Sequence, residues 1–257
     1  MSDIAILARQ VRFEQKSFWR NPASAVFTFA FPLLFLVIFA TLNTDQRVTS
    51  RDGISFVTFY VPGITAFGLI AACYQNLAIR LSIARDLGVL KRVRGTPIPS
   101  WVYIGGQLLS SVVIAALLVA STVALGVAVY GVQFRTDTVP GLVSALVLGA
   151  LCFCSLGVAV TALVPNSDAA PAVVNFSLFP LLFVSGIFFP IDNAPQWLHS
   201  LASAFPVQHL ANALQYAFDP RTAAPGVNVS DLLMLAVWTM AGLVIALRVF
   251  RWESRRS

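Results

Sequence analysis

The residues able to do chemistry in this chain are few, and most of them are basic. Lysine occurs twice, at Lys16 after Gln15 and at Lys91 after Leu90. A phosphate-cradling loop needs glycine before its lysine and serine or threonine after it, so the sequence contains none and any ATP must be handled by another chain. Neither a Gly-x-Ser-x-Gly elbow nor a His-Glu-x-x-His helix occurs, which leaves a hydrolase reading without a nucleophile or a zinc pair. Cys152 and Cys154 lack two further ligands nearby, and with Cys73 they read as small buried thiols. His199 and His209 read as interfacial residues, because no carboxylate or third ligand is spaced to assist either one.

What remains is a basic loop at 80–99 and a basic amino-terminal helix. In the loop, Ile79, Ile83, Leu87 and Leu90 recur at helical spacing, and Gly95, Pro97 and Pro99 stop the pattern. One face of this short helix is expected to pack on the protein while the other offers Arg85, Asp86 and Arg92 to a partner. A merely solvated basic loop is the competing reading. Residues 1–22 read as an interfacial helix with Ile4, Leu7, Val11 and Phe18 on one face and Arg9, Arg12 and Lys16 mostly away from it. It serves either as an anchor on anionic lipid or as a second docking element.

The elements that must position these residues are membrane helices. The 257 residues are 58% hydrophobic and 11% charged, against about 45–50% and about 25% in soluble domains. Apolar residues fall into six blocks, 24–42, 56–79, 101–132, 139–164, 169–189 and 232–247, without one Asp, Glu, Lys or Arg inside them. The fold class expected is therefore all-α and integral to the membrane, one transmembrane domain over 1–257 with six spans. Thirteen of the 17 basic residues lie in the amino-terminal helix, the 80–99 loop and the tail from Arg248 to Arg256. That asymmetry predicts a multi-pass protein with both termini in the cytoplasm, and it accounts for the net charge of +6 without any nucleic acid. The first apolar block begins too late, and is too long and too rich in phenylalanine, for a cleavable signal peptide.

Between the fifth and sixth blocks, 190–231 holds two short apolar helical patterns punctuated by Pro190, Pro195, Pro206 and Pro220, expected as a re-entrant outer hairpin. Within the spans, Gln107, Thr161, Asn175 and Ser185 are the notable polar residues, and hydrogen bonding between helices is the ordinary role for each. Phenylalanines crowd the first and fifth blocks. A cavity lined by those two helices would be aromatic, with Phe31, Phe35, Asn175, Phe179 and Phe183 along a possible cargo pathway. Pro32, Pro62, Pro171 and Pro180 are placed to kink their helices. An ion-driven carrier would normally keep an ionisable residue inside the membrane, and these blocks contain no carboxylate or base.

The run from Arg85 through Asp86, Gly88, Leu90 and Arg92 to Thr96 and Pro97 resembles the acidic-x-Gly-x-Leu and Thr-Pro signature of type-2 permeases of ATP-binding-cassette exporters. Tyr60, Val61, Pro62 and Gly63 at the start of the second block are similar to that family as well. So are Phe188 to Ile191, Pro195, Trp197, Leu198, Phe205 and Pro206, from the end of the fifth block into the outer hairpin. The order of these features along the whole chain matches the family, with Asp86 standing where glutamate is common. The resemblance implies a bacterial inner-membrane permease that pairs with a second permease half, a copy or a sister. It also implies cytoplasmic nucleotide-binding ATPase subunits that carry ATP and Mg, this chain binding no cofactor. Arg85, Asp86, Gly88, Leu90 and Arg92 would form the ATPase-coupling surface. The implied cargo is a hydrophobic or amphipathic drug or antibiotic; polysaccharide, teichoic-acid or complex-lipid export, or a non-transporting scaffold or sensor, are the alternatives.

Overall fold

The computed structural model describes residues 3–43, 47–48, 54–95, 98–132, 135–188 and 195–249. Thr96 and Pro97 of the loop signature, Phe189, Pro190 and Ile191 at the entry to the outer hairpin, and the tail arginines Arg251, Arg255 and Arg256 lie outside them. Among the described residues the fold is helical apart from a two-residue antiparallel ladder, β1 (Arg47–Val48) with β2 (Ile54–Ser55).

Helix α1 (Asp3–Trp19) leads into α2 (Pro22–Leu42), whose first turn is capped by the Asn21 side chain accepting from the Ser24 amide. The next helix runs without a break from Phe56 to Asp86 and changes pitch on the way. It is α-helical in α3 (Phe56–Ile70), widens into a π turn at Ala71–Asn76, and resumes as α4 (Leu77–Asp86). Gly88 then adopts φ +69°, the left-handed conformation glycine accepts at no steric cost, and α5 (Val89–Arg94) follows at a new angle. The remaining helices are α6 (Ser100–Tyr130), α7 (Val139–Val160), α8 (Ala170–Val184), α9 (Gln196–Ser203), α10 (Pro206–Phe218) and α11 (Val229–Val249).

Five of these stretches are long and apolar enough to cross a membrane: 24–42, 56–86, 101–130, 136–163 and 229–249. The fifth apolar block forms α8, of 15 residues, or about 22 Å of helix against a hydrocarbon core of about 30 Å. Ser185 closes it and Gly186 turns the chain with φ +75°.

The central element is α3, buried along nearly its whole length between α2, α6, α7 and α10. Pro62 sits inside it without ending it, as bundle neighbours allow in membranes. Thr65 donates back to the Val61 carbonyl at 2.8 Å, and its Oγ1 lies 3.2 Å from Thr122 Oγ1 on α6, a buried link between the two helices. The outer helices α2, α6 and α11 instead expose Val26, Phe27, Leu117, Val129, Leu233 and Leu247 on their outward faces. In hydrocarbon those faces are solvated by lipid, so apolar exposure is their resting condition rather than a defect.

Candidate functional site

The amino-terminal helix is pinned rather than floating. Leu7 and Gln10 pack against Gly105 and Gly106 of α6, and the Gln15 amide donates to Ser110 Oγ at 3.0 Å and to the Ser110 carbonyl at 2.9 Å. Phe18 is buried and Leu7 and Val11 are half-buried, but Ile4 of the expected apolar face stays exposed. Arg9, Arg12 and Lys16 point outward. The sequence reading passed over Glu14, which sits on the buried side and forms an ion pair with Arg80 of α4. Gln10 Nε2 donates to the same carboxylate at 2.8 Å. Burial pushes the Glu14 carboxyl above the usual range, and Arg80 and Gln10 pull it back only in part. Its signal was a carboxylate at helical register with Leu7 and Phe18; its partner, 66 residues away, carried none.

In the basic loop the structure divides the expected partner face in two. Leu87, Lys91 and Arg92 are exposed, whereas Leu90 is fully buried and Arg85 nearly so. Arg85 Nη1 donates to the Thr161 carbonyl at 2.8 Å and Nη2 to the Val164 carbonyl. Asp86 Oδ2 accepts from the Ser167 amide at 3.1 Å and from Ser167 Oγ at 2.8 Å. The placement of Arg85 and Asp86 on the outward face is thereby corrected: both turn toward the α7–α8 connection.

A polar cluster deeper in the bundle is built by the π turn. Widening the helix by one residue per turn rotates consecutive side chains toward different neighbours. Tyr74 Oη meets Ser177 Oγ of α8 at 2.7 Å, Gln75 Nε2 donates to Asn175 Oδ1 of α8 at 3.0 Å, and Asn76 Nδ2 donates to Thr28 Oγ1 of α2 at 3.2 Å. Three successive residues thus tie together the two helices expected to border a cargo path. Beside them lies a groove of about 440 Å³ lined by Gln75, Asn76 and Asn175 and by the rings of Phe27, Phe31, Phe67 and Phe179. Of the five expected pathway residues, Phe31, Asn175 and Phe179 line it. Phe35 lies tilted against Phe31 (ring centres 4.5 Å apart), and both Phe35 and Phe183 reach Phe188, at 6.2 and 5.6 Å.

On the opposite end, Pro195 precedes α9 and Pro206 opens α10, as proline does at first helical positions. Trp197 is exposed, and Phe205 stacks on Trp238 of α11, whose indole donates to the Ala204 carbonyl at 3.2 Å. His209 requires a correction, because a carboxylate does serve it. Its Nδ1 lies 2.6 Å from Asp231 Oδ1 and its Nε2 2.9 Å from the Ser203 carbonyl. Each ring nitrogen faces an acceptor oxygen, an arrangement that favours the imidazolium with its two N–H donors. The hydrogen bond to Asp231 accordingly raises the His209 pKa.

A histidine whose folded pKa is raised contributes its stability below the unfolded value of about 6.5 and loses it as pH rises through the folded pKa. Thermal unfolding of the purified protein should therefore show His209→Gln less stable than wild type in mildly acid solution, with the gap closing as pH rises through the raised His209 pKa. A gap that stays constant with pH would contradict the imidazolium assignment.

Long apolar helices with apolar outward faces and a basic loop clipped to the bundle define an integral membrane protein. The ABC-2 type transporter family model matches residues 5–218, and the chain belongs to that family. Its relatives include the inner membrane transport permease YadH of Escherichia coli K12, 23% identical over 208 residues covering 79% of this chain and 78% of the relative. The daunorubicin resistance ABC transporter permease protein DrrB1 of Streptomyces coeruleorubidus is 28% identical over 206 residues, 77% and 69% of the two chains. A probable multidrug ABC transporter permease, YbhR of Escherichia coli K12, is 22% identical over 164 residues, 63% and 44% of the two.

Proposed function

We propose that this chain is the permease subunit of an ATP-driven exporter of hydrophobic or amphipathic compounds across the bacterial inner membrane. Both termini lie in the cytoplasm, and α8 with the turn after it makes a sixth crossing that is locally short. A second permease half closes the cargo path along α2 and α8. Cytoplasmic ATPase subunits, holding ATP and Mg, dock on the exposed side of α5 and the turn before it, where Leu87, Lys91 and Arg92 stand outward. Arg9, Arg12 and Lys16 on α1 provide a second basic contact. The outer hairpin, with Trp197 exposed and Phe205 stacked on Trp238, caps the far mouth.

The observation that carries this reading is the groove beside the π turn. Phenylalanine faces and three amide side chains meet there in about 440 Å³, which suits a flat aromatic compound bearing a few hydroxyl or carbonyl groups. Such a groove favours a drug-sized cargo over a sugar polymer.

The test uses the permease with its ATPase in vesicles and daunorubicin, the compound in one relative's name, as the probe. Asn175→Leu should raise the concentration giving half-maximal stimulation of ATP hydrolysis by about fivefold, the worth of about one hydrogen bond. Hydrolysis without cargo should stay at its wild-type rate. An unchanged half-maximal concentration in Asn175→Leu would remove Asn175 from the pathway.

A further inference from the structure

The Arg85–Asp86 pair does something other than face a partner. The two residues end α4, immediately before the Gly88 turn into α5, and each holds one side of the connection between α7 and α8. The Arg85 cation sits on the carbonyls of Thr161 and Val164, at the two ends of the short 3-10 turn that follows α7, where the Thr161 carbonyl also accepts from the Val164 amide. The Asp86 anion sits on the amide and hydroxyl of Ser167, three residues before α8 begins at Ala170. The connection is itself tightened by Asn166 Oδ1, which accepts from the Ala169 amide at 2.9 Å. Opposite charges on adjacent residues thus grip the carbonyl end of one helix and the amide end of the next.

From this geometry we propose that Arg85 and Asp86 are positioning residues that transmit displacement of α5 to α8, carrying motion from the basic loop to the helix that bears Asn175 and Phe179. The inference rests on the exporter reading. Mechanically, the grip is short and charge-assisted, with Arg85 almost fully buried, so the α7–α8 connection follows α4 instead of sliding past it. A docking residue would do its work by touching the ATPase. These two act on the chain's own second inner loop.

The experiment compares wild type, Asp86→Ala, Ser167→Ala and the double variant, each with its ATPase in vesicles. Three quantities are read: affinity for the ATPase, hydrolysis without cargo, and cargo moved per ATP hydrolysed. A probe at the exposed Phe176 position of α8 reports whether that helix moves when a non-hydrolysable ATP analogue closes the ATPase. Each single variant should keep ATPase affinity and basal hydrolysis, move at least about threefold less cargo per ATP, and lose the probe response at 176. The double variant should be no worse than Asp86→Ala alone, because both remove the same contact. Loss of ATPase affinity in Asp86→Ala, or an intact probe response in it, would overturn the proposal. If the wild-type complex moves no cargo with ATP, the exporter reading itself fails, and the proposal fails with it.

Discussion

Gly157→Val should remove most of the folded protein from the membrane. Gly157 lies near the carboxyl end of α7, where that helix crosses the π turn. A Cβ added there would stand 2.9 Å from the Cys73 carbonyl oxygen and 3.2 Å from both the Tyr74 Cα and the Tyr74 carbonyl oxygen. All three atoms are backbone, so no side chain can rotate out of the way. Overpacking a core by side-chain atoms costs about 1–3 kcal/mol, and here the strain falls on the turn that aims Tyr74, Gln75 and Asn76 at their partners. Gly105→Ala is the control, because its Cβ would meet the Leu7 methyl at 3.4 Å, an ordinary contact. The monodisperse fraction after detergent extraction, together with the thermal midpoint, should fall sharply for Gly157→Val and stay near wild type for Gly105→Ala. Equal behaviour of the two would mean that α7 and the π turn are not so closely apposed.

Glu14→Ala is expected to be nearly as damaging, by about 2 kcal/mol, the worth of hydrogen bonds to a charged group. The carboxylate side chain is 5% exposed and the Arg80 side chain 25%, so removing the acid leaves a cation half sealed from water. Glu14→Gln should cost less. Burial disfavours the charged carboxylate strongly enough to raise its pKa despite Arg80, and a neutral amide of the same shape escapes that penalty. Replacing both partners, Glu14→Leu with Arg80→Leu, should recover part of the loss, as apolar replacement of buried ion pairs does. Thermal unfolding and the rate of proteolysis within α1 measure the series. Indifference of both readouts to Glu14→Ala would show that α1 is held by Gln15 and its apolar face alone.

The long charge-free blocks made the membrane-spanning helices legible, because only helices satisfy their own backbone in lipid. The apolar block ends before Arg80 and helical spacing carries the pattern into the loop, and the structure joins the two in one helix from Phe56 to Asp86. Arg80 is accommodated by Glu14, a contact no local pattern announces. The fifth block was read by hydropathy alone, and its helix stops early at Ser185 and Gly186. Gly186 is a helix-stop signal that hydropathy does not register.

The loop shows why helical periodicity misleads beside a membrane. Ile83 and Leu87 were expected to face inward, and they are 38% and 64% exposed, while Leu81, Ser82 and Arg85 are buried. Apolar residues are not driven inward where lipid or a partner subunit waits outside. The π turn is equally invisible in sequence, since Tyr74, Gln75 and Asn76 are ordinary helix residues and their partners lie 48 to 103 positions away. His209 was paired by folding with an aspartate 22 residues on, at the far side of a proline-broken loop.

Energy for transport is proposed to enter from outside the chain, and one vesicle experiment addresses that directly. The purified permease is reconstituted alone and with its ATPase, and daunorubicin movement is followed with ATP present and with an imposed proton gradient. Pumping only when the ATPase and hydrolysable ATP are both present is the expected result. Directional accumulation by the permease alone, under either condition, would contradict the account.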